Sequence, residues 1–420
     1  MRTPSRHSTF ITLACLTILC SACSRDTSPK TCTDPLGCVD IAPKEELKLG
    51  VIQSLSGKIA ALGQEQVRGF ELALARRGDK VLGHKVALQV EDTGCQPEGG
   101  ANAALKVVAD PKVVAIFGTT CSSDAATAAE VMTKAGLTMI SGNNSAPFLT
   151  AIGGQRAPRW QEGYFRTAPN EESSGPAAAT YAYQKLGIRK AATINDGDIY
   201  TRGLTDGFAK RFKELGGQVV LNATVSKQDT NMGPVLTAVK HAKADLIFFP
   251  LFQPEGNHVL LQARRDPALK KTVLMSDGSL IEQSFIEAMK DDAVGMYFVG
   301  PTPPQNGPAL DKLRSECLAR FQTPPATYYY TSAFDAAEIL FAAIEKAGQP
   351  APDGTVHIGR KALRDALYAT RNHEGITGRI SCDEFGDCAS PKFNVLQLMD
   401  PAAGVEGLKS NVKFTYSPVP

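Results

Sequence analysis

The run Val113-Val-Ala-Ile-Phe-Gly-Thr-Thr-Cys-Ser-Ser123 sets hydroxyls and a thiol directly after an apolar stretch and directly before an alanine-rich one. Side chains of that kind serve either catalysis or binding. The apolar part reads as a parallel strand buried on both faces, and the alanines as a helix starting near Ser122. First-turn N–H groups lack intrahelical acceptors and lie at the positive end of the helix dipole, so a small anion such as a carboxylate is favoured there. The plainer reading is that Ser122 only caps its helix. Catalysis asks for more than the chain offers: Cys121 has no evident histidine partner, no Gly-x-Gly-x-x-Gly follows the first strand, and no Gly-x-Ser-x-Gly elbow occurs. No enzyme and no cofactor are expected.

The amino end addresses the chain outward. Arg2 and Arg6 precede an apolar core at residues 10–20, and Ser21-Ala22 leads to Cys23, the layout of a signal peptide too short to span a bilayer as a helix. With Cys23 as first mature residue, residues 1–22 resemble a bacterial lipoprotein signal, although Cys20 stands where that family prefers leucine. Cys23 is then the acylated residue, and 23–46, rich in Pro, Thr and Asp, reads as a tether. The formal charge of +2 falls to about zero without Arg2 and Arg6, and no basic stripe argues for nucleic acid.

Of the seven cysteines beyond Cys23, Cys32 and Cys38 flank a Pro-Leu-Gly turn, and Cys382 and Cys388 flank Asp-Glu-Phe-Gly-Asp. Cys95 and Cys121 both end strands. Three disulfides are therefore expected, with Cys317 left over on a helix. A metal site is not expected, since no Cys-x-x-Cys remains in the mature chain and the six histidines are scattered.

Periodicity positions these residues. Strands are expected at 47–54, 85–91, 113–117 and 137–141, with helices at 64–77, 100–109 and 123–135 between them. After an irregular connection the alternation resumes, with strands at 190–195, 218–225, 246–251 and 273–276. About 400 residues of alternating βα units predict two doubly wound Rossmann-like lobes with ligands at the carboxyl ends of the strands.

From Lys48 to about Phe414 the chain resembles the periplasmic branched-chain amino-acid binding proteins, the capture components of ABC importers. The resemblance rests on Leu49-Gly-Val-Ile-Gln-Ser-Leu-Ser-Gly57, Glu91-Asp-Thr-Gly-Cys-Gln-Pro97, Gly118-Thr-Thr-Cys-Ser-Ser123, Met139-Ile-Ser141, Phe165-Arg-Thr-Ala-Pro169, Phe334-Asp-Ala-Ala337 and Cys382-Asp-Glu-Phe-Gly-Asp387, in the family's order. It implies an α/β protein of two lobes joined by three crossovers, with residues 46–168 plus 302–376 in one and 169–301 plus 377–415 in the other. It further implies that Thr120, Cys121, Ser122 and Ser145 take a ligand carboxylate. Glu171 and Asp277, expected on opposite lobes, would take the ammonium, with Asn143 supplying a carbonyl. Leu62, Tyr200, Phe252 and Phe334 would wall the side chain. Each has a plainer alternative: Glu171 decorates a helix start, Asp277-Gly278 is a turn pair, and Phe334 lies on a helix with core periodicity.

The expected protein is a monomer in the periplasm or outer cell envelope, lipid-anchored, binding a small molecule for an ABC permease. A ligand-sensing regulator or envelope scaffold on the same fold is the alternative, which neighbouring genes would distinguish.

Overall fold

The computed structural model describes Met1, residues 32–304, 306–325, 327 and 329–417. Cys23 and the signal segment lie outside the described residues.

The first sheet has six strands in the order Lys80–Val81, His84–Asp92, Leu47–Gln53, Val113–Gly118, Met139–Ser141 and Tyr164–Arg166, parallel except at the first pair. Its central strands read as unbroken apolar runs because helices cover both faces. Residues 113–118 are buried throughout. Helices Ala60–Arg76 and Tyr329–Ala347 pack together on one side; Pro97–Val108 and Ser122–Lys134 pack together on the other.

The second sheet has seven strands in the order Gln218–Thr224, Lys190–Asn195, Leu246–Phe248, Val273–Asp277, Tyr297–Pro301, Phe393–Gln397 and Val412–Tyr416. Its first five strands are parallel, and the last two pair antiparallel. The chain passes between the sheets three times: at 167–170, at 302–307 and at 389–392.

Two expectations need correction. Residues 38–46 are not all tether: Cys38–Ile41 is a strand paired antiparallel with Val356–Gly359, and Val39 and Ile41 are buried in the first core. Two apolar residues at alternate positions suffice to dock a short edge strand. Residues 377–388 do not join the second lobe. Ile380, Cys382 and Cys388 sit in the first core, and Arg166, fully buried, pairs with Asp387. The Arg166 guanidinium also donates to the carbonyl of Ala146 at 2.8 Å and to the Thr150 hydroxyl, while Asn170 Nδ2 donates to Asp387 at 2.9 Å. A buried guanidinium needs that many acceptors, and Asp387 supplies the charge, so its segment must stay beside the first sheet.

All three expected disulfides form, Cys32–Cys38, Cys95–Cys121 and Cys382–Cys388, and Cys317 is a buried free thiol.

Candidate functional site

The loop after strand Val113–Gly118 is held from several directions. Cys121, with extended backbone, is the N-cap of helix Ser122–Lys134 and makes no side-chain cap bond, so Ser122 occupies the first helical position and is not the cap. Thr120 Oγ1 accepts from Ser54 N at 2.9 Å and donates to Gln53 Oε1 at 2.7 Å, and Asn143 Nδ2 donates to the Thr120 carbonyl at 2.9 Å. Beneath the loop, Asp124 accepts from Thr93 and Thr119 hydroxyls, and burial pushes its carboxyl up to about 7. The Cys95–Cys121 bridge ties the loop to the segment after strand His84–Asp92. Ser122 Oγ accepts from Ala146 N at 3.2 Å, leaving its hydrogen to donate. The result is a rigid hydroxyl-bearing helix start, a donor set suited to an anion.

Facing it are two buried carboxyl groups. Glu171 is 1% exposed, and neither carboxyl oxygen has a hydrogen-bond partner in good geometry. Burial first, then the nearby Asp277 charge, pushes Glu171 up to about 8, against smaller opposing effects from the Ser145 and Tyr200 hydroxyls and Arg166. Asp277 is better furnished: Tyr200 donates its hydroxyl to Oδ2, and Ser279 Oγ donates to Oδ1 at 2.7 Å. Burial still raises it to about 6. The Tyr200 phenol, itself buried beside both carboxyls, is raised well above its ordinary value and stays protonated.

The expectation of opposite lobes for the two carboxyls is not met. The turn Glu171–Ser173 runs into helix Ser174–Gln184, which packs on the second sheet, and Asp277 ends a strand of that sheet. Glu171 is nonetheless joined to the first lobe, its N–H donating to the Ser145 carbonyl at 2.9 Å. The crossover ends just before it, so the second lobe begins at this residue.

Between the loop and the second lobe lies a small cavity of about 20 Å³, and neither Glu171 nor Asp277 lines it. Thr120, Cys121, Ser122, Asn143 and Ser145 line it from the first sheet's loops, with Leu62 from helix Ala60–Arg76. Tyr200 and Phe252 face them from the second lobe, their rings 5.4 Å apart and tilted. Phe334 is not part of this wall. It is buried in the first core with the Arg76 guanidinium 4.5 Å from its ring centroid, as helical core periodicity dictates. Two lining residues escaped sequence reasoning, Ser279 and Tyr329. Ser279 follows the Asp277-Gly278 turn, a signal available in the sequence; Tyr329 opens helix Tyr329–Ala347 after Pro324-Pro325, where nothing marks which tyrosine faces the cleft.

Two doubly wound lobes with polar groups converging between them are the architecture of type I periplasmic binding proteins. A family model described as periplasmic binding protein matches residues 46–392, and the chain belongs to that family. A Leu/Ile/Val-binding protein of Rhizobium johnstonii is 28% identical over 352 residues, 83% of this chain and 91% of its own length. The Leu/Ile/Val-binding protein of Escherichia coli is 26% identical over 371 residues, 86% of this chain and 94% of its own. Among solved structures, a leucine-binding protein from Thermotoga maritima matches with TM-score 0.75 at 24% identity, over 89% of this chain and 99% of that one. A solute-binding protein of an ABC transporter from Rhodopseudomonas palustris, solved with p-hydroxybenzoic acid, matches with TM-score 0.74 at 20% identity, over 89% of this chain and 98% of that one.

Proposed function

We propose that this protein is the lipid-anchored capture component of an ABC importer, and that its ligand is an α-amino acid with an apolar side chain. The observation that carries the reading is the buried pair Glu171 and Asp277, with neither Glu171 oxygen holding a hydrogen-bond partner in good geometry. Uncompensated buried carboxylates are costly, and a ligand ammonium supplies the missing cation. An aromatic acid, the ligand type of the Rhodopseudomonas relative, has a carboxylate for the helix start but no cation for this pair. The Leu/Ile/Val-binding relatives point the same way.

In this reading the ligand carboxylate lies against Ser122 and the helix start, with Thr120, Cys121 and Ser145 around it and Asn143 beside it. The ammonium lies between Glu171 and Asp277. Leu62, Phe252 and the Tyr200 ring form the apolar wall. The lobes, 38–166 plus 308–388 and 171–301 plus 393–416, close about the three crossovers, and closure is driven by the interactions that ligand makes in the closed form and lacks in the open one. The signal layout around Arg2, Arg6 and Ala22-Cys23 supports attachment at Cys23 and a place in the periplasm or outer envelope, and a single chain suffices for the site.

The test is calorimetric titration of unfolded and refolded protein, freed of retained ligand, with a panel of amino acids. Ser122→Ala and Glu171→Gln each remove a hydrogen bond to a charged group, so each should weaken binding by about 10- to 150-fold. If the amine-free analogue of the best ligand binds wild type as tightly as the ligand itself, the amino-acid assignment is wrong.

A further inference from the structure

The second sheet turns the amino ends of its parallel strands away from the cleft. Lys190, Leu246 and Val273 start neighbouring strands there, tied together by Asp245 N donating to the Lys190 carbonyl and Val273 N to the Asp245 carbonyl, both at 2.9 Å. Lys240, Lys243 and Lys271 rim a depression of about 540 Å³ at these strand starts, over apolar walls that include Ile188, Val239 and Leu269. With Arg189, Lys190 and Lys270 beside them in the chain, six cations stand around the depression against two carboxylates, Asp245 and Asp266, on a chain whose formal charge is +2 in all. Asp291 and Asp292 come one strand further along, ahead of Tyr297 and beside Lys290. Lys240 is paired with Asp266 at 2.7 Å, and Arg189 donates to the carbonyls of Tyr183 and Ile188. Lys190, Lys243, Lys270 and Lys271 are exposed and form no ion pair among the described residues. The amino ends of the first sheet's central strands are handled differently. Lys48 pairs with Asp110 at 2.7 Å and Lys112 with Glu45 at 3.1 Å, and the Asp40 carbonyl of strand Cys38–Ile41 accepts from Lys112 Nζ at 2.8 Å. Unpaired like charges repel one another, and a bound anion relieves that repulsion.

We propose that the pole of the second lobe around Lys243 and Lys271 binds a linear polyanion, a polymer carrying carboxylate or phosphate groups along its length. The proposal goes beyond the capture function and uses only the anchor at Cys23 from that reading. Charge complementarity sets the chemistry: exposed ammonium groups spread over several strand starts match an extended row of anions, and their summed field raises its local concentration. The apolar walls of the depression take the uncharged backbone of the polymer. Position sets the kind of partner. Both sheets turn their carboxyl ends to the cleft, so their amino ends lie at opposite poles. A Cβ on Gly136, just ahead of strand Met139–Ser141, would lie 3.2 Å from the Leu36 carbonyl, and Arg360 N donates to the Gly37 carbonyl at 3.0 Å. The chain arriving from Cys23 therefore reaches the pole of the first lobe. A body held there turns its cationic pole away from its own membrane, toward polymers and not toward lipid.

The experiment reads fluorescence anisotropy of two end-labelled polymers, inorganic polyphosphate and polygalacturonate, titrated with protein carrying Cys23→Ser, which removes the proposed anchor and leaves the folded body intact. At least one polymer should bind at about 50 mM salt and weaken at least tenfold at about 200 mM, because contact releases counterions condensed on the polymer. The one that binds tells phosphate from carboxylate, and either supports the proposal. Lys243→Glu with Lys271→Glu should weaken binding at least tenfold. Lys80→Glu with Lys85→Glu, exposed positions on the first lobe, should leave it within twofold. Amino-acid affinity should stay within twofold in both double variants, since a whole sheet separates this pole from the cleft. Binding of neither polymer, equal losses in the two double variants, or binding to phosphatidylglycerol vesicles without binding to either polymer would overturn the proposal. Failure of every amino acid to bind would overturn the capture assignment and leave this one standing.

Discussion

If a ligand ammonium meets the Glu171–Asp277 pair, as proposed, ligand capture is a proton-linked event. In the structure Glu171 is pushed up to about 8 by burial and by the neighbouring Asp277, which itself lies at about 6. At pH 7 the pair therefore holds about one proton in total, resident mainly on Glu171. A buried ammonium stabilises both carboxylates in the charged form, so binding at pH 7 should expel about one proton. Affinity then rises with pH, by about tenfold per unit and about 100-fold between pH 6 and pH 8, for a ligand whose amine stays protonated. The same linkage has the opposite sign for the ligand-free protein. Its carboxyls bind protons more tightly folded than unfolded, so its stability should fall as pH rises from about 4.5 through 8. Calorimetry in phosphate and in Tris at pH 7 reads proton release directly, because the two buffers absorb it with different heats. Glu171→Gln should abolish most of that difference. Identical heats in both buffers, with affinity flat from pH 6 to 8, would refute the claim that a ligand cation meets these carboxyls.

Three other outcomes concern the cysteines and the buried ion pair. Cys95→Ser with Cys121→Ser opens a loop of 26 residues and should cost about 3.5 kcal/mol of stability from chain entropy, read by denaturant unfolding with and without reductant. Arg166→Met strands Asp387 without its partner and should cost about 3–5 kcal/mol; the double variant with Asp387→Leu should recover part of it, and an unchanged unfolding midpoint in the single variant would count against the ion pair. Cys23→Ser should stop incorporation of labelled fatty acid and release the protein from the membrane fraction, since stable anchoring needs two acyl chains; labelling that persists would mean the signal has been misread.

Much of the architecture was legible because buried parallel strands are written as apolar runs. Residues 113–118 and 190–195 need no long-range information to be read as strands. The position of the Thr120–Ser122 loop was legible for the same reason, since it follows such a strand and precedes an alanine-rich helix. Less was readable where placement depends on one partner far away. Cys38–Ile41 is four residues long, and only its pairing with residues 356–359 makes it a strand. Residues 377–388 carry no periodicity, and what holds them to the first lobe is distant in sequence: three residues in its core, the Asp335 carboxyl accepting from Thr377, and a buried arginine more than 200 positions upstream. Phe334 and Tyr329 lie on one helix five residues apart, and the periodicity that seats the first in the core cannot tell which residue of the first turn looks into the cleft.

The docking of Cys38–Ile41 bears on geography. Cys32 is cross-linked to Cys38, so if Cys23 carries lipid, as proposed, nine peptide links separate the anchor from a fixed point of the fold. Nine residues of chain span at most about 30 Å, whatever path they take. An anchor at Cys23 would then keep Cys32 within a distance of the membrane comparable to one bilayer's hydrocarbon core. For an importer in the same membrane, as proposed, encounter would be a search in two dimensions, and a few residues added between Cys23 and Cys32 would change its rate without touching the cleft.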